Sequence, residues 1–283
     1  MNVALSLRER LFDTPYYRLA FGDSDALPGL VVDRYGDVCV AQITTAGMER
    51  LKNEIVAALE KVIKPRAILW RNDASVRELE NLPSYVEPAL GEVPETITLE
   101  ENGTKFEVPL AGGQKTGWFY DQRMNHLRAR AYVRDLRVLD VFSYLGGFGV
   151  QAAHAGAASV VCVDSSQKAA DFIQRNATLN GVGEKVQVVV DDAFEALRRL
   201  RTERERFDVV VLDPPAFIKR KKDIKEGTEA YRRLNQMAMQ VLAKDGILIS
   251  CSCSYHMARE SLRDVMLKAS RHVDRSMQIV EEG

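Results

Sequence analysis

The sequence predicts an α/β protein: a doubly wound, Rossmann-like, mostly parallel sheet preceded by a small α+β domain. Three observations carry this expectation. From residue 96 onward, short runs of β-branched residues alternate with segments of helical periodicity. Several of those runs end in polar residues, at the edge where open α/β sheets hold ligands. The first 95 residues follow a different rhythm of paired strands around one helix, which divides the chain into 1–95 and 96–283.

In the first part, Gly22-Asp23-Ser24-Asp25 and Leu27-Pro28-Gly29 are turn signals that precede strands Gly29–Arg34 and Val38–Thr44, joined through Arg34-Tyr35-Gly36-Asp37. Met48, Leu51, Ile55, Ala58 and Leu59 recur at helical spacing across Gly47–Val62, and Ala67–Arg71 returns as a strand. Residues 81–95 hold Pro83, Pro88 and Pro94 and are expected to form a linker.

The second part opens on a hairpin, Ile97–Glu101 and Lys105–Leu110, because Asn102-Gly103 is the strongest two-residue hairpin signal. A helix over Gln122–Val133 follows. Strands are expected at Arg137–Phe142, Ser159–Asp164, Val186–Val190, Phe207–Leu212 and Gly246–Ser250. The helices between and after them are Val150–Ala155, Gln167–Leu179, Ala193–Arg201, Thr228–Leu242 and Arg259–Ser270, with a last strand near Val273–Val280.

Composition narrows the function classes. With 46% hydrophobic residues in 283, the chain can bury proper cores, and 39 Lys plus Arg against 40 Asp plus Glu leave a net charge of −1. Any nucleic-acid contact must therefore rest on a local patch. Met1–Arg10 lacks the apolar run of a signal peptide and no apolar stretch reaches membrane length, so a cytoplasmic protein is expected. Cys39 and Cys162 sit among valines and read as buried strand residues. Cys251 and Cys253 are one residue apart, a spacing that fits neither a zinc knuckle nor a thioredoxin-like site, and no metal is expected. His126, His154, His256 and His272 show no ligand spacing.

Asp213-Pro214-Pro215-Ala216-Phe217 follows Val209–Leu212, and Ser250-Cys251-Ser252-Cys253-Ser254 follows Ile247–Ile249. If both strands end on one sheet edge, an acid and a thiol face the same substrate. Phe142-Ser143-Tyr144-Leu145-Gly146-Gly147 follows the first strand, where glycines let backbone approach a small molecule. Phe142 and Tyr144 stand where a dinucleotide pyrophosphate would need glycine. Asp164-Ser165 after the second strand suits a ribose diol, and Asp192 after the third suits an adenine amino group. Each aspartate alone could simply cap the following helix. The ordered series favours a shared ligand site.

Thr116-Gly117-Trp118-Phe119-Tyr120-Asp121-Gln122-Arg123, Asn125, the Val138–Gly149 loop, Arg175-Asn176-Ala177, Leu179-Asn180-Gly181, the Asp-Pro-Pro run and Ser252-Cys253-Ser254 together resemble class I S-adenosylmethionine-dependent methyltransferases. The branch they resemble methylates carbon 5 of cytosine in large-subunit ribosomal RNA. The stretch from Gly22 to Gly36 resembles the small central domain of that branch. Its members usually begin with an RNA-binding PUA domain, for which the residues before Leu11 are too few, and usually end in a strand pair that closes the sheet. This implies a shortened form, or RNA recognition delegated elsewhere.

The resemblance implies S-adenosylmethionine as cofactor, held by Phe142, Ser143, Tyr144, Gly146, Gly147, Asp164, Ser165, Asp192, Asp213 and Pro214. Carbon 5 of cytosine is a poor nucleophile until a thiolate adds to carbon 6, which requires a cysteine. Cys253 lies farther beyond the carboxyl edge than Cys251 and occupies the family position, so it is the expected nucleophile, with Asp213 on the cytosine edge. The base that removes the carbon 5 proton has no signature. Pro215, Phe217, Lys219, Arg220, Lys221 and Arg123 are candidate RNA contacts, although a charge run is usually a solvated face. The expected partner is ribosomal RNA or its assembly particle; no membrane is expected, and a homodimer is left open. Two other readings are a guanine nitrogen methyltransferase, which needs no thiol, and a non-catalytic cofactor- or RNA-binding scaffold.

Overall fold

The computed structural model describes residues 1–113 and 116–283, and the chain forms two compact units, Met1–Arg123 and Met124–Gly283. The first contains helix α1 (Asn2–Leu11), strands β1 (Tyr16–Phe21), β2 (Leu30–Tyr35) and β3 (Val38–Ile43), helices α2 (Ala46–Glu49) and α3 (Lys52–Val62), and strands β4 (Ala67–Asn72), β5 (Tyr85–Leu90), β6 (Thr96–Glu101) and β7 (Thr104–Pro109). β1 to β5 form one sheet in that order, with only the β3–β4 pair parallel. Leu30, Val32, Ile43, Leu59, Ile68 and Trp70 are buried between the sheet and α3.

The expected linker, 81–95, contains the edge strand β5. Its Pro88 pairs opposite Leu69 beside a register shift, the kind of edge position where a missing N–H is tolerated. The β6–β7 hairpin turns at Asn102 and Gly103, with φ of 54° and 74°, as a turn with two left-handed residues requires.

The units divide after Arg123, beyond the expected boundary at 95, because the hairpin and the segment from Thr116 to Arg123 are bonded to the first unit. Thr116 Oγ1 donates to Asp33, and the Tyr35 hydroxyl donates to Thr116 O at 3.1 Å while accepting from Trp118 N at 3.0 Å. Trp118 Nε1 donates to Glu101 at 3.0 Å, and the Trp118 ring lies 4.5 Å from that of Phe106.

The second unit follows helix α4 (Arg123–Ala129) with β8 (Arg137–Val141), α5 (Gly147–His154), β9 (Ser159–Asp164), α6 (Gln167–Leu179), β10 (Val186–Val190), α7 (Ala193–Thr202), β11 (Phe207–Leu212), α8 (Ile224–Val241), β12 (Leu242–Ser250) and α9 (Arg259–Arg271). The sheet order is β10-β9-β8-β11-β12, every pair parallel, as expected for a doubly wound fold. Alternation along β8 sends Leu139 and Val141 into the core formed with α7 and α8, and Asp140 to the opposite face, against α5.

α8 begins at Ile224, one turn before the expected Thr228, and α5 begins at Gly147 rather than Val150. The expected strand at Val273–Val280 is not formed: residues 275–283 run without regular structure. There Arg275 donates to the Leu242 and Ala243 carbonyls, and Glu281 and Glu282 pair with Arg128, Arg259 and Arg263, so ionic contacts replace a ladder.

Within the first unit, Asp33 is fully buried and accepts two bonds from Arg18 at 2.8 and 2.9 Å as well as the Thr116 hydroxyl. Asp33→Asn should cost about 3 kcal/mol, because it leaves a largely buried guanidinium without its counter-charge. A fall in the urea midpoint at unchanged slope would show it.

Candidate active site

The sheet changes winding direction between β8 and β11, so their carboxyl ends flank the crevice where such folds bind ligands. Residues 142–146 connect β8 to α5 through three left-handed positions, Phe142 (φ 68°), Tyr144 (φ 51°) and Gly146 (φ 86°). A non-glycine residue there is strained. Neighbours hold the strain in place: Phe142 N and Ser143 N donate to Val163 O at 2.9 and 3.1 Å, Ser143 Oγ donates to Asp140 O at 2.7 Å, and buried Asn176 donates to Leu145 O at 3.0 Å. A Cβ on Gly149 would lie 2.4 Å from Cys162 Sγ and 3.0 Å from Asp140 Oδ2, so only glycine lets α5 come this close.

The aspartates that follow β9 and β10 accept backbone amides. Asp164 accepts from Tyr144 N at 2.9 Å and from Ser166 N at 3.0 Å, which ties the strained loop to the start of α6. Asp192 is the N-cap of α7, its Oδ1 accepting from Phe194 N at 2.9 Å and Glu195 N at 3.2 Å. Asp213 N donates to Val141 O at 3.3 Å, and Cys251 N donates to Leu212 O at 2.8 Å. The loops after β8, β11 and β12 therefore leave the sheet in step.

This register brings the Asp-Pro-Pro and Ser-Cys-Ser segments together. Cys253 is exposed and its Sγ donates to Pro214 O at 3.7 Å, whereas Cys251 is half-buried. Pro214 is buried and Pro215 exposed. Phe217 is placed in an aromatic cluster, 4.8 Å from Tyr231 and 6.4 Å from both Phe142 and Phe194. Lys219, Arg220 and Lys221 are exposed directly after it, with Arg220 paired to Asp223 at 3.2 Å. Arg123 is engaged in the first unit, where it pairs with Glu101 at 3.4 Å, donates to Tyr16 O and stacks on Phe12. Cys39 and Cys162 are buried, and burial pushes the Cys39 thiol up to about 12.

Three groups in the site carried no expectation. Tyr231, on α8, is fully buried with its hydroxyl 2.9 Å from Ser254 Oγ; the only sequence signal was its place on the apolar stripe of that helix. His126 is buried against Phe148, ring centroids 4.5 Å apart, after a motif rather than within one. Asp140 is buried mid-strand, where nothing in a run of β-formers marks a functional carboxyl. Its Oδ2 accepts from Gly149 N at 2.8 Å, and its Oδ1 has no hydrogen-bond partner.

Burial pushes the Asp140 carboxyl up to about 7, and the nearby Asp213 charge adds to the rise; the Gly149 amide and His126 oppose it. Asp164, Asp192 and Asp213 thus stand at the carboxyl ends of β9, β10 and β11, and Asp140 lies within β8 between them. This donor set suits a cationic nucleoside bearing a ribose diol, and the orphaned Asp140 oxygen is the kind of buried acceptor such a ligand satisfies. Among the described residues no cluster of His, Cys, Asp or Glu could hold a metal, and no helix is long and apolar enough to cross a membrane.

An aspartate near 7 when folded and near 3.9 when unfolded binds its proton more tightly in the fold, so its contribution to stability falls as pH rises from about 4 to 7. The full penalty, at most about 4 kcal/mol, applies above pH 7. Asp140→Asn should therefore melt above the wild type at pH 8 and show a flatter profile toward pH 5, as thermal denaturation across that range would reveal.

Comparison with known proteins agrees with this geometry. Residues 76–282 match the S-adenosylmethionine-dependent methyltransferase family. The chain is 39% identical to ribosomal RNA large subunit methyltransferase I of Klebsiella pneumoniae (strain 342) over 268 residues, covering 94% of this chain and 67% of that protein. The protein of the same name from Escherichia coli (strain SMS-3-5 / SECEC) is 38% identical, with 94% and 68% covered. The solved structure of SMU.776 complexed with SAH superposes with a TM-score of 0.83 at 25% identity, covering 95% of this chain and 70% of that one. A strained loop after β8, carboxylates at the next three strand ends and a match over most of the chain lead to one conclusion: the protein belongs to the S-adenosylmethionine-dependent methyltransferases, and S-adenosylmethionine is its cofactor.

Proposed function

We propose that the chain methylates carbon 5 of a cytosine in large-subunit ribosomal RNA through a thiol adduct at carbon 6. The observation that carries this reading is Cys253 Sγ 3.7 Å from Pro214 O, which sets a thiol beside the Asp-Pro-Pro loop at the cofactor edge. Relatives at 38–39% identity are named for large-subunit ribosomal RNA, which supports the substrate class. Direct methylation of a guanine nitrogen would leave that thiol without a purpose.

The chain's residues divide the work. Phe142, Ser143, Tyr144, Gly146 and Gly147 form the cofactor bend, with Asp164, Ser165 and Asp192 toward the nucleoside and Asp213 and Pro214 beside the methyl-bearing end. S-adenosylmethionine, when bound, supplies an electrophilic methyl group. The Cys253 thiolate forms a bond to carbon 6, and Asp213, hydrogen-bonded to the cytosine edge, promotes protonation of the ring nitrogen as it does so. The electron pair displaced from the ring's double bond makes carbon 5 nucleophilic. Once carbon 5 is methylated, loss of its proton to a base re-forms the double bond and expels the thiolate. Pro215 and Phe217 border the base, and Lys219, Arg220 and Lys221 meet phosphates.

Cys253→Ala should lower methyl transfer to deproteinised ribosomal RNA by at least about 1,000-fold while the Kd for S-adenosylmethionine stays within about twofold by calorimetry. RNA containing 5-fluorocytosine should become covalently attached to the intact enzyme. Full activity in Cys253→Ala would refute the thiol mechanism. Lys219→Ala with Lys221→Ala should weaken RNA binding and reduce the slope of log affinity against log salt by about 1.4, as loss of two single-strand phosphate contacts requires.

A further inference from the structure

We infer that the Tyr231 hydroxyl is the positioning group that fixes Cys253 against the Asp213 loop; the inference rests on the thiol reading above for its chemical consequence. Tyr231 is fully buried in α8 and its ring packs on Phe217. Its hydroxyl accepts from Ser252 Oγ at 3.0 Å and lies 2.9 Å from Ser254 Oγ, so one phenol binds the residues on both sides of Cys253. Ser254 N closes the turn on Ser252 Oγ at 3.3 Å. With both flanking hydroxyls drawn inward, Ser254 is only 5% exposed whereas Cys253 between them is turned outward.

The Ser254 hydroxyl, in turn, reaches the second loop. Ser254 Oγ accepts from Ile218 N at 3.1 Å, which links the Cys253 turn to the segment that began at Asp213. One turn earlier on α8, a Cβ on Gly227 would lie 2.4 Å from Ile218 Cγ1 and 2.7 Å from Phe217 O. Glycine there lets the helix press on the Asp-Pro-Pro loop at the height where Tyr231 reaches across. Ring packing alone would be served by phenylalanine; the hydrogen bonds to Ser252 and Ser254 are made by the oxygen. A shift of about 1 Å at a reacting atom can cost about 100-fold in rate, so this tie matters to the thiol more than to the fold.

Tyr231→Phe keeps the ring and removes the tie, and Ser254→Ala removes it from the other side. For each variant three quantities are measured: the rate of covalent attachment to 5-fluorocytosine RNA, the Kd for S-adenosylmethionine, and the rate of Cys253 alkylation by iodoacetamide from pH 6 to 9, resolved by mass spectrometry. Attachment should slow about 10- to 100-fold, alkylation should change at least about threefold across that range, and the Kd should stay within about twofold. Wild-type rates of both attachment and alkylation would overturn the inference, as would a loss that follows the Kd. If the wild-type protein attaches to no 5-fluorocytosine RNA, the cytosine reading fails and alkylation alone decides the role of Tyr231: a changed profile supports it and an unchanged one overturns it. If Tyr231→Phe does not fold, Ser254→Ala decides in the same way.

Discussion

Two backbone hydrogen bonds set the rest of the catalytic unit in place: Asp213 N to Val141 O and Cys251 N to Leu212 O. Each extends a parallel ladder by one rung past its strand, so the loops after β8, β11 and β12 emerge at the same height. A slip of one residue in either pair would invert the facing of every side chain beyond it. The buried core around Leu139, Val210 and Leu212 specifies that register. Accuracy at the reactive edge is thus inherited from apolar packing beneath it.

The charged side of the site follows from the same geometry. Three strand ends carry carboxylates, with Asp140 within the strand between them, and in a protein of near-zero net charge this concentration of acid is local. Asp164 holds the loop from outside by accepting its amide, while Asp140 holds α5 from below.

Much of this was legible in the sequence. All five strands of the second unit and their polar ends follow from β-branched runs and the residues that punctuate them. What escaped had a common cause: it depends on partners distant in sequence. Pro88 signalled a linker because an edge strand's tolerance of proline is a property of its neighbours. Arg123 suggested an RNA contact because Glu101 and Phe12 are invisible to local pattern. Tyr231 carried no expectation at all, since a hydroxyl's purpose lies in what it touches.

The left-handed Phe142 and Tyr144 have a further consequence. Glycine would occupy either place without strain, but an unfolded chain with glycine there samples more conformations and a folded loop wanders further. Aromatic residues make the bend harder to form and narrower once formed. A loop of this kind loses little freedom when a small molecule settles against it, so more of the contact energy is available for affinity. In this bend, discomfort in the folded chain and readiness for a ligand are the same property.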